Sequence, residues 1–151
     1  MGHVVVTCKS ELDKFLVLYA FLKLEILNGK TLIMASTVEQ GYKIKMFLEK
    51  FQLRSYVVNP DQTKTFKRSV VHFFNIGQYS ILILVAGTVR SLEQKFGDIL
   101  NVVNFDFPRN WGNYKEAADL VSFDNGSVLT FEYCSSAPEK FYNPDDKTNL
   151  K

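Results

Sequence analysis

Short continuous apolar runs alternate with segments of helical periodicity, and this alternation constrains the fold more than any other feature of the chain. Six runs read as strands: His3–Thr7, Thr31–Ala35, Ser55–Val58, Ile81–Ala86, Val102–Phe105 and Val128–Tyr133. Strands that are apolar throughout are buried on both faces, as in parallel sheets that helices cover on both sides. The sequence therefore predicts a three-layer α/β domain with a mostly parallel central sheet of about six strands, the first of them buried.

Helix signals fill the intervals between these strands. Ser10 with Asp13, and Thr37 with Gln40, resemble capping boxes at two helix starts. Apolar residues at helical spacing extend the first helix toward a stop near Gly29. They are Leu12, Phe15, Leu16, Tyr19, Leu22 and Ile26. A third helix carries Phe66, Val70, Phe73 and Phe74 and ends at Gly77. Residues 88–99 and 111–124 have no clear periodicity.

Composition narrows the class of protein. The chain has 151 residues, of which 46% are hydrophobic and 23% charged, enough for one domain with a real core. No apolar run reaches the ~20 residues of a membrane span, so we expect no membrane partner. Cys8 and Cys134 form no disulfide framework, which favours an intracellular setting, and no zinc-ligand spacing exists. We predict a domain over residues 1–134 and a polar tail over 135–151.

The charge distribution is uneven although the net charge is only +2. Residues 30–77 carry eight Lys and Arg against three acidic residues, whereas residues 78–151 are net acidic. A basic middle third fits an anionic partner such as a nucleic acid, but solvated helix faces also produce such a pattern. Charge alone leaves both interpretations open.

Two groups of residues are candidate binding sites. Ser36 and Thr37 directly follow the second strand, where parallel sheets bind ligands, and their hydroxyls with the helix N–H groups could take a phosphate. Ordinary helix capping explains these two residues equally well. Lys64, Lys67 and Arg68 begin the helix that follows the third strand, and Lys64 and Arg68 share a helix face. They suit a sugar–phosphate backbone, or form a solvated basic face.

No catalytic constellation or metal site can be argued from spacing. Gly29-Lys30-Thr31 lacks the preceding glycine of a phosphate-binding loop and enters a strand instead of a helix, so it reads as a helix end. No Ser/His/Asp set and no carboxylate pair can be assembled from the sequence.

Several segments resemble the second RecA-like lobe of DEAD-box ATP-dependent RNA helicases, nearest to the nucleolar branch of large-subunit ribosome assembly. The matching segments are 9–24 (KSELDKFLVLYAFLKL), 29–43 (GKTLIMASTVEQGYK), 47–51 (FLEKF), 74–79 (FNIGQY), 103–109 (VNFDFPR) and 126–131 (GSVLTF). The resemblance covers roughly residues 4–133 and is strongest up to Ile83. The first lobe, with its nucleotide-cradling loop and Asp-Glu-Ala-Asp box, is absent from the sequence.

The resemblance implies that Ser36 and Thr37 occupy the family's fourth motif and that Lys67 stands where the family has an RNA-holding arginine, with Arg68 adjacent. Such enzymes bind ATP, Mg and RNA across the cleft between two lobes. The implied function is RNA-backbone binding by the second lobe of a helicase in ribosome biogenesis. The implied partners are RNA, the first lobe and pre-ribosomal proteins, in the nucleus or nucleolus.

The sequence departs from the family after the fourth strand. Residues 85–92 read VAGTVRSL where the family has Thr-Asp and an Arg-Gly-Asp-like segment. Residues 114–121 read YKEAADLV where the family has arginines that stabilise the transferring phosphate. The arginine motif is not recognisable, and Arg90, Arg109 and Lys115 cannot be matched to it.

We therefore expect no catalytic residue on this chain, no cofactor for it alone, and no ATP hydrolysis by the isolated lobe. ATP and Mg belong to a two-lobed parent enzyme. The alternative is a non-catalytic, helicase-like scaffold that docks RNA or protein.

Overall fold

A computed structural model describes residues 1–133, which contain six strands and five helices. The elements are β1 (Gly2–Cys8), α1 (Glu11–Lys23), β2 (Lys30–Ala35), α2 (Val38–Glu49), β3 (Tyr56–Val58), α3 (Lys64–Asn75), β4 (Ile81–Val85), α4 (Thr88–Ser91), β5 (Ile99–Asn104), α5 (Trp111–Ala118) and β6 (Ser127–Tyr133). Cys134 and the predicted tail over 135–151 lie outside the described residues.

All neighbouring strands pair in parallel, in the order β1-β6-β5-β2-β4-β3. The six-stranded parallel sheet confirms the predicted α/β fold. Because every strand runs the same way, the segments that follow the strands all leave from one edge of the sheet, here called the carboxyl edge. This edge contains both groups of candidate binding residues.

Helices cover the sheet on both faces. Leu18 of α1 and Ile44 of α2 pack with Ile33 of β2 on one face. Phe74 of α3 packs with Leu32 of β2 on the other face. Leu32 and Ile33 are both fully buried although they point to opposite faces, which explains why the central strands are apolar at every position.

The first strand is not the buried strand that its apolar sequence predicts. β1 lies at the edge of the sheet, pairs with β6, and buries only Cys8 fully. Val4 remains 49% exposed. A run of β-branched residues indicates a strand but cannot say whether the strand has one neighbour or two, so the prediction of burial was wrong.

The helix starts are as predicted, but the first helix is shorter. The Ser10 and Thr37 side chains accept hydrogen bonds from the Asp13 and Gln40 N–H groups at 3.2 and 3.1 Å, which confirms both N-caps. The return bonds of a capping box are replaced, because Asp13 accepts the Lys9 N–H and Gln40 donates to Asp106. α1 ends at Lys23, well before Gly29. The segments without clear periodicity contain the short helix α4 and the two-turn helix α5.

The apolar spacing in α1 did not identify its buried face. Leu12 and Leu16 are 62% and 48% exposed, whereas Lys14 and Leu18 are buried. Apolar residues surround this helix on most sides, so the sequence pattern could not select the side that meets the sheet. No helix of the described part is both long and apolar enough to cross a bilayer.

Candidate nucleic-acid interface at the carboxyl edge

The junction between β2 and α2 presents two exposed hydroxyl residues. Ser36 and Thr37 lie on the surface, directly after the buried Ala35. Thr37 caps α2, so its oxygen already accepts the Gln40 N–H. The Ser36 N–H donates to Asp106 Oδ2 at 2.8 Å. The Ser36 N–H, which precedes the helix, is therefore occupied by a carboxylate, and the Gln40 N–H of the first helical turn is occupied by the Thr37 side chain.

Asp106, in the loop after β5, joins three segments of the chain. Besides the Ser36 N–H, its carboxylate accepts from Gln40 Nε2 at 3.0 Å and from Lys14 Nζ at 3.2 Å. Lys14 comes from the first turns of α1 and is only 3% exposed. Its ammonium lies 4.7 Å from the centroid of the Phe105 ring and 4.9 Å from that of Tyr133.

This environment favours the ionised carboxylate. Burial alone would raise the pKa of Asp106, but the Ser36 backbone N–H, the Gln40 and Ser36 side chains and the Lys14 charge together hold that pKa below its ordinary value. Asp106 therefore carries a negative charge beside Ser36, and the buried Lys14 is its counter-ion.

The second candidate group lies at the start of α3, where the Thr63 side chain caps the helix. Lys64 and Arg68 are exposed and share one acidic partner, Glu93, at 3.6 and 3.4 Å. Lys67 is only 5% exposed. Its ammonium lies 3.2 Å from Ser91 Oγ and 3.5 Å from the Pro60 carbonyl oxygen. Two of the three cations thus face solvent, while the third ties α3 to its neighbours.

A cleft of about 180 Å³ opens on the carboxyl edge between β2, β4 and β5. Ser36, Gly87, Arg90, Asp106, Arg109 and Glu116 are among its lining residues. Arg90 Nε donates to Glu116 Oε2 at 3.1 Å across this cleft. On α5, Lys115 pairs in the same way with Asp119, at 2.9 Å.

The charges of this cleft do not suit the phosphate-stabilising role that the family resemblance implies. The lining sets two carboxylates, Asp106 and Glu116, against two arginines, Arg90 and Arg109, and Arg90 is already paired with Glu116. Carboxylates beside a triphosphate raise its energy instead of neutralising it. The residues of α5 therefore do not fit the arginine motif of the family.

The two candidate groups border one continuous stretch of the carboxyl edge. Gly87, in a left-handed conformation with φ +86°, lines the cleft together with Ser36. A Cβ at Gly87 would lie 3.6 Å from the Pro60 ring. Pro60 in turn contacts the ammonium of Lys67 through its carbonyl. Both groups thus lie at junctions of the neighbouring strands β2, β4 and β3.

Sequence reasoning missed Lys14, Asp106 and Glu93. Asp106 follows a buried strand inside a segment with family resemblance, so its position at the carboxyl edge could have marked it. Lys14 and Glu93 carried no such signal, because their partners are 92 and 25 residues away in the chain. No group of three or more metal-ligating side chains occurs within residues 1–133.

No family model matches this chain. Curated relatives named ATP-dependent RNA helicase DBP9 do match it. The protein from Cryptococcus neoformans is 42% identical over 77 residues, which are 51% of this chain and 12% of the relative. That from Phaeosphaeria nodorum is 28% identical over 138 residues, covering 73% of this chain and 23% of the relative. The chain thus spans less than a quarter of the length of these relatives.

Several solved structures of DEAD-box proteins have this fold. The C-terminal domain of the DEAD-box protein Dbp5 has a TM-score of 0.78 and 20% identity, covering 89% of this chain and 78% of that domain. E. coli SrmB, bound to the regulator RraA, has a TM-score of 0.79 and 13% identity, covering 87% and 76%. Domain 2 of Mss116p, bound to an RNA duplex, has a TM-score of 0.77 and 20% identity, covering 89% and 55%.

At these identities the structural likeness establishes the fold, and the DBP9 relatives establish the relationship in sequence. The resemblance found in the sequence is confirmed: this chain is similar to the C-terminal RecA-like lobe of DEAD-box ATP-dependent RNA helicases, and its relatives are DBP9 helicases.

Proposed function

We propose that this chain acts as the second lobe of an ATP-dependent RNA helicase and binds the RNA backbone along its carboxyl edge. One observation carries the proposal: exposed hydroxyls at Ser36 and Thr37 and exposed cations at Lys64 and Arg68 border the same edge of a helicase-type sheet. Hydroxyl and cationic side chains are typical phosphate ligands, and contacts to phosphate do not depend on the nucleotide sequence.

The two cations would contact RNA by exchanging Glu93 for phosphate. Both ion pairs are solvent-exposed and longer than 3.3 Å, so exchanging their partner costs little. Lys67 belongs to the proposed set, but its ammonium would first have to leave Ser91 and Pro60. Binding by this lobe alone should be weak and should fall steeply with salt, because it rests on few phosphate contacts.

The rest of the proposal concerns the parent enzyme. ATP and Mg would bind between this lobe and a first lobe supplied by the parent chain. The relationship to DBP9 helicases supports RNA as the substrate, and the resemblance to nucleolar helicases supports ribosome assembly with pre-ribosomal proteins.

A non-catalytic, helicase-like scaffold is the second candidate, and the cleft favours it. Arg90 of α4 is paired with Glu116, and Lys115, the cation of α5, is paired with Asp119. A scaffold lobe would bind RNA without contributing arginines to phosphate transfer. RNA-stimulated ATP hydrolysis by the full-length parent would support the catalytic form, and its absence the scaffold.

RNA binding is tested by charge reversal at α3. We expect Lys64→Glu/Arg68→Glu to weaken binding of a single-stranded RNA about tenfold or more in a fluorescence-anisotropy titration at low salt, because two phosphate-facing cations become anions. Lys23→Glu/Lys50→Glu is the matched control, with the same charge change at the ends of α1 and α2, on the opposite edge of the sheet. Equal losses in both variants would contradict the site.

A further inference from the structure

A full negative charge lies within hydrogen-bonding distance of the residue proposed to meet the RNA backbone. Asp106 Oδ2 accepts the Ser36 N–H at 2.8 Å, and both residues line the same cleft. The Asp106 side chain is 19% exposed, so it is partly open to whatever approaches this edge. An uncompensated carboxylate here would repel a phosphate.

Lys14 supplies the compensating charge. Its Nζ lies 3.2 Å from Asp106 Oδ1, on the oxygen opposite the one that holds Ser36. Within residues 1–133 no other cation forms an ion pair with Asp106. The remaining side-chain donors, Gln40 Nε2 and the Ser36 hydroxyl, are neutral, so they stabilise the carboxylate without cancelling its charge.

Lys14 is too deeply enclosed to bind RNA itself. Its side chain is 4% exposed and its ammonium lies against the Phe105 and Tyr133 rings. Burial and the two ring contacts fix the ammonium on the inner side of Asp106, because little water competes for it. Any effect of Lys14 on RNA must therefore pass through Asp106 and Ser36.

We propose that Lys14 is a positioning residue for RNA binding, which cancels the charge of Asp106 and holds that carboxylate on the Ser36 N–H so that phosphate can approach the β2–α2 junction. The inference rests on the proposed function. It adds a role for a buried lysine of α1 that makes no contact with the solvent-facing cations of α3.

A double-mutant cycle separates charge compensation from simple support of the fold. We expect Lys14→Met to weaken RNA binding about tenfold at low salt, because Asp106 keeps its charge without a counter-ion. Asp106→Asn keeps an oxygen for the Ser36 N–H and removes the charge. Lys14→Met/Asp106→Asn should therefore regain affinity to within about twofold of Asp106→Asn alone, a rescue that a purely structural lysine would not give.

Lys23→Met is the matched control, since it removes an exposed lysine from the last turn of the same helix, and its RNA affinity should be unchanged. All variants are titrated at a temperature where circular dichroism shows them folded. Lys14→Met with wild-type affinity, or a double mutant as weak as Lys14→Met, would overturn the inference. A wild-type chain that does not bind RNA would instead overturn the proposed function, and with it the inference.

Discussion

Two clusters of opposite charges lie along the same edge of the sheet, and they are built in opposite ways. Lys14 and Asp106 are largely buried, bring together α1, α2 and the loop after β5, and surround one carboxylate with three donors. Lys64, Arg68 and Glu93 are all more than half exposed and meet at 3.4 to 3.6 Å. The first cluster fixes the backbone at Ser36. The cations of the second cluster can exchange Glu93 for another anion.

This difference separates two tasks that a nucleic-acid surface must perform. A buried pair is costly to disrupt from one side, because the remaining charge is left in a poorly hydrated place. An exposed pair contributes little to stability but adds to the electrostatic field that attracts a polyanion. The buried cluster should therefore govern stability and geometry, and the exposed cluster should govern RNA affinity.

The largest expected effect is on the stability that the buried cluster provides. Lys14→Met should lower the free energy of unfolding by about 2 to 3 kcal/mol, because it leaves the Asp106 carboxylate without a counter-ion where little water can reach it. Lys64→Met, the exposed counterpart, should change it by less than about 0.5 kcal/mol. Urea denaturation followed by circular dichroism measures both, and similar losses in the two variants would remove the distinction between the clusters.

A smaller effect, on RNA affinity, is expected when Glu93 of the exposed cluster is neutralised. Glu93→Gln should raise RNA affinity about threefold, because Lys64 and Arg68 no longer need to leave a carboxylate before meeting phosphate. Its free energy of unfolding should stay close to that of the wild-type chain. Anisotropy titrations at several salt concentrations measure the change, and an affinity that is unaltered at low salt would argue against direct contacts by these cations.

The smallest expected effect is the loss of stability at low pH. Because the folded environment lowers the pKa of Asp106 below its ordinary value, its ionised form stabilises the fold above that ordinary pKa, and this contribution is lost as pH falls through the lowered pKa. The stability advantage of the wild-type chain over Asp106→Asn should therefore shrink below about pH 4. Urea titrations from pH 6 to pH 3 test this, and a constant difference would contradict it.

Local signals in the sequence predicted the parts of the fold that local physics controls. The Ser10 and Thr37 caps and the fully apolar β4 depend on neighbouring residues or on burial of a whole strand, and the structure has them as predicted. Burial of Lys14 could not be predicted in this way, because a lysine in a first helical turn is ordinarily solvated. Its partner comes from a loop 92 residues later.

The candidate site was predicted in part for the same reason. Ser36 and Thr37 were found because they follow a strand, and every parallel strand ends at the same edge. The separation of Lys64 and Arg68 from the buried Lys67 depends on α4, which places Ser91 beside Lys67 and carries no recognisable sequence pattern. The sequence placed Lys64 and Arg68 on one helix face, as observed, but gave no sign that Lys67, matched to an RNA-holding arginine by resemblance, would be buried.

The pairing of β1 with β6 has a consequence for how the chain is made. Val4 aligns with Leu129, so β1 is synthesised 125 residues before the strand it pairs with. Until that neighbour emerges, a valine-rich segment has its hydrogen-bonding groups exposed to other nascent chains. Contacts at such sequence separation also form slowly. A lobe truncated before Ser127 would therefore leave β1 without the strand that pairs with it in the described residues.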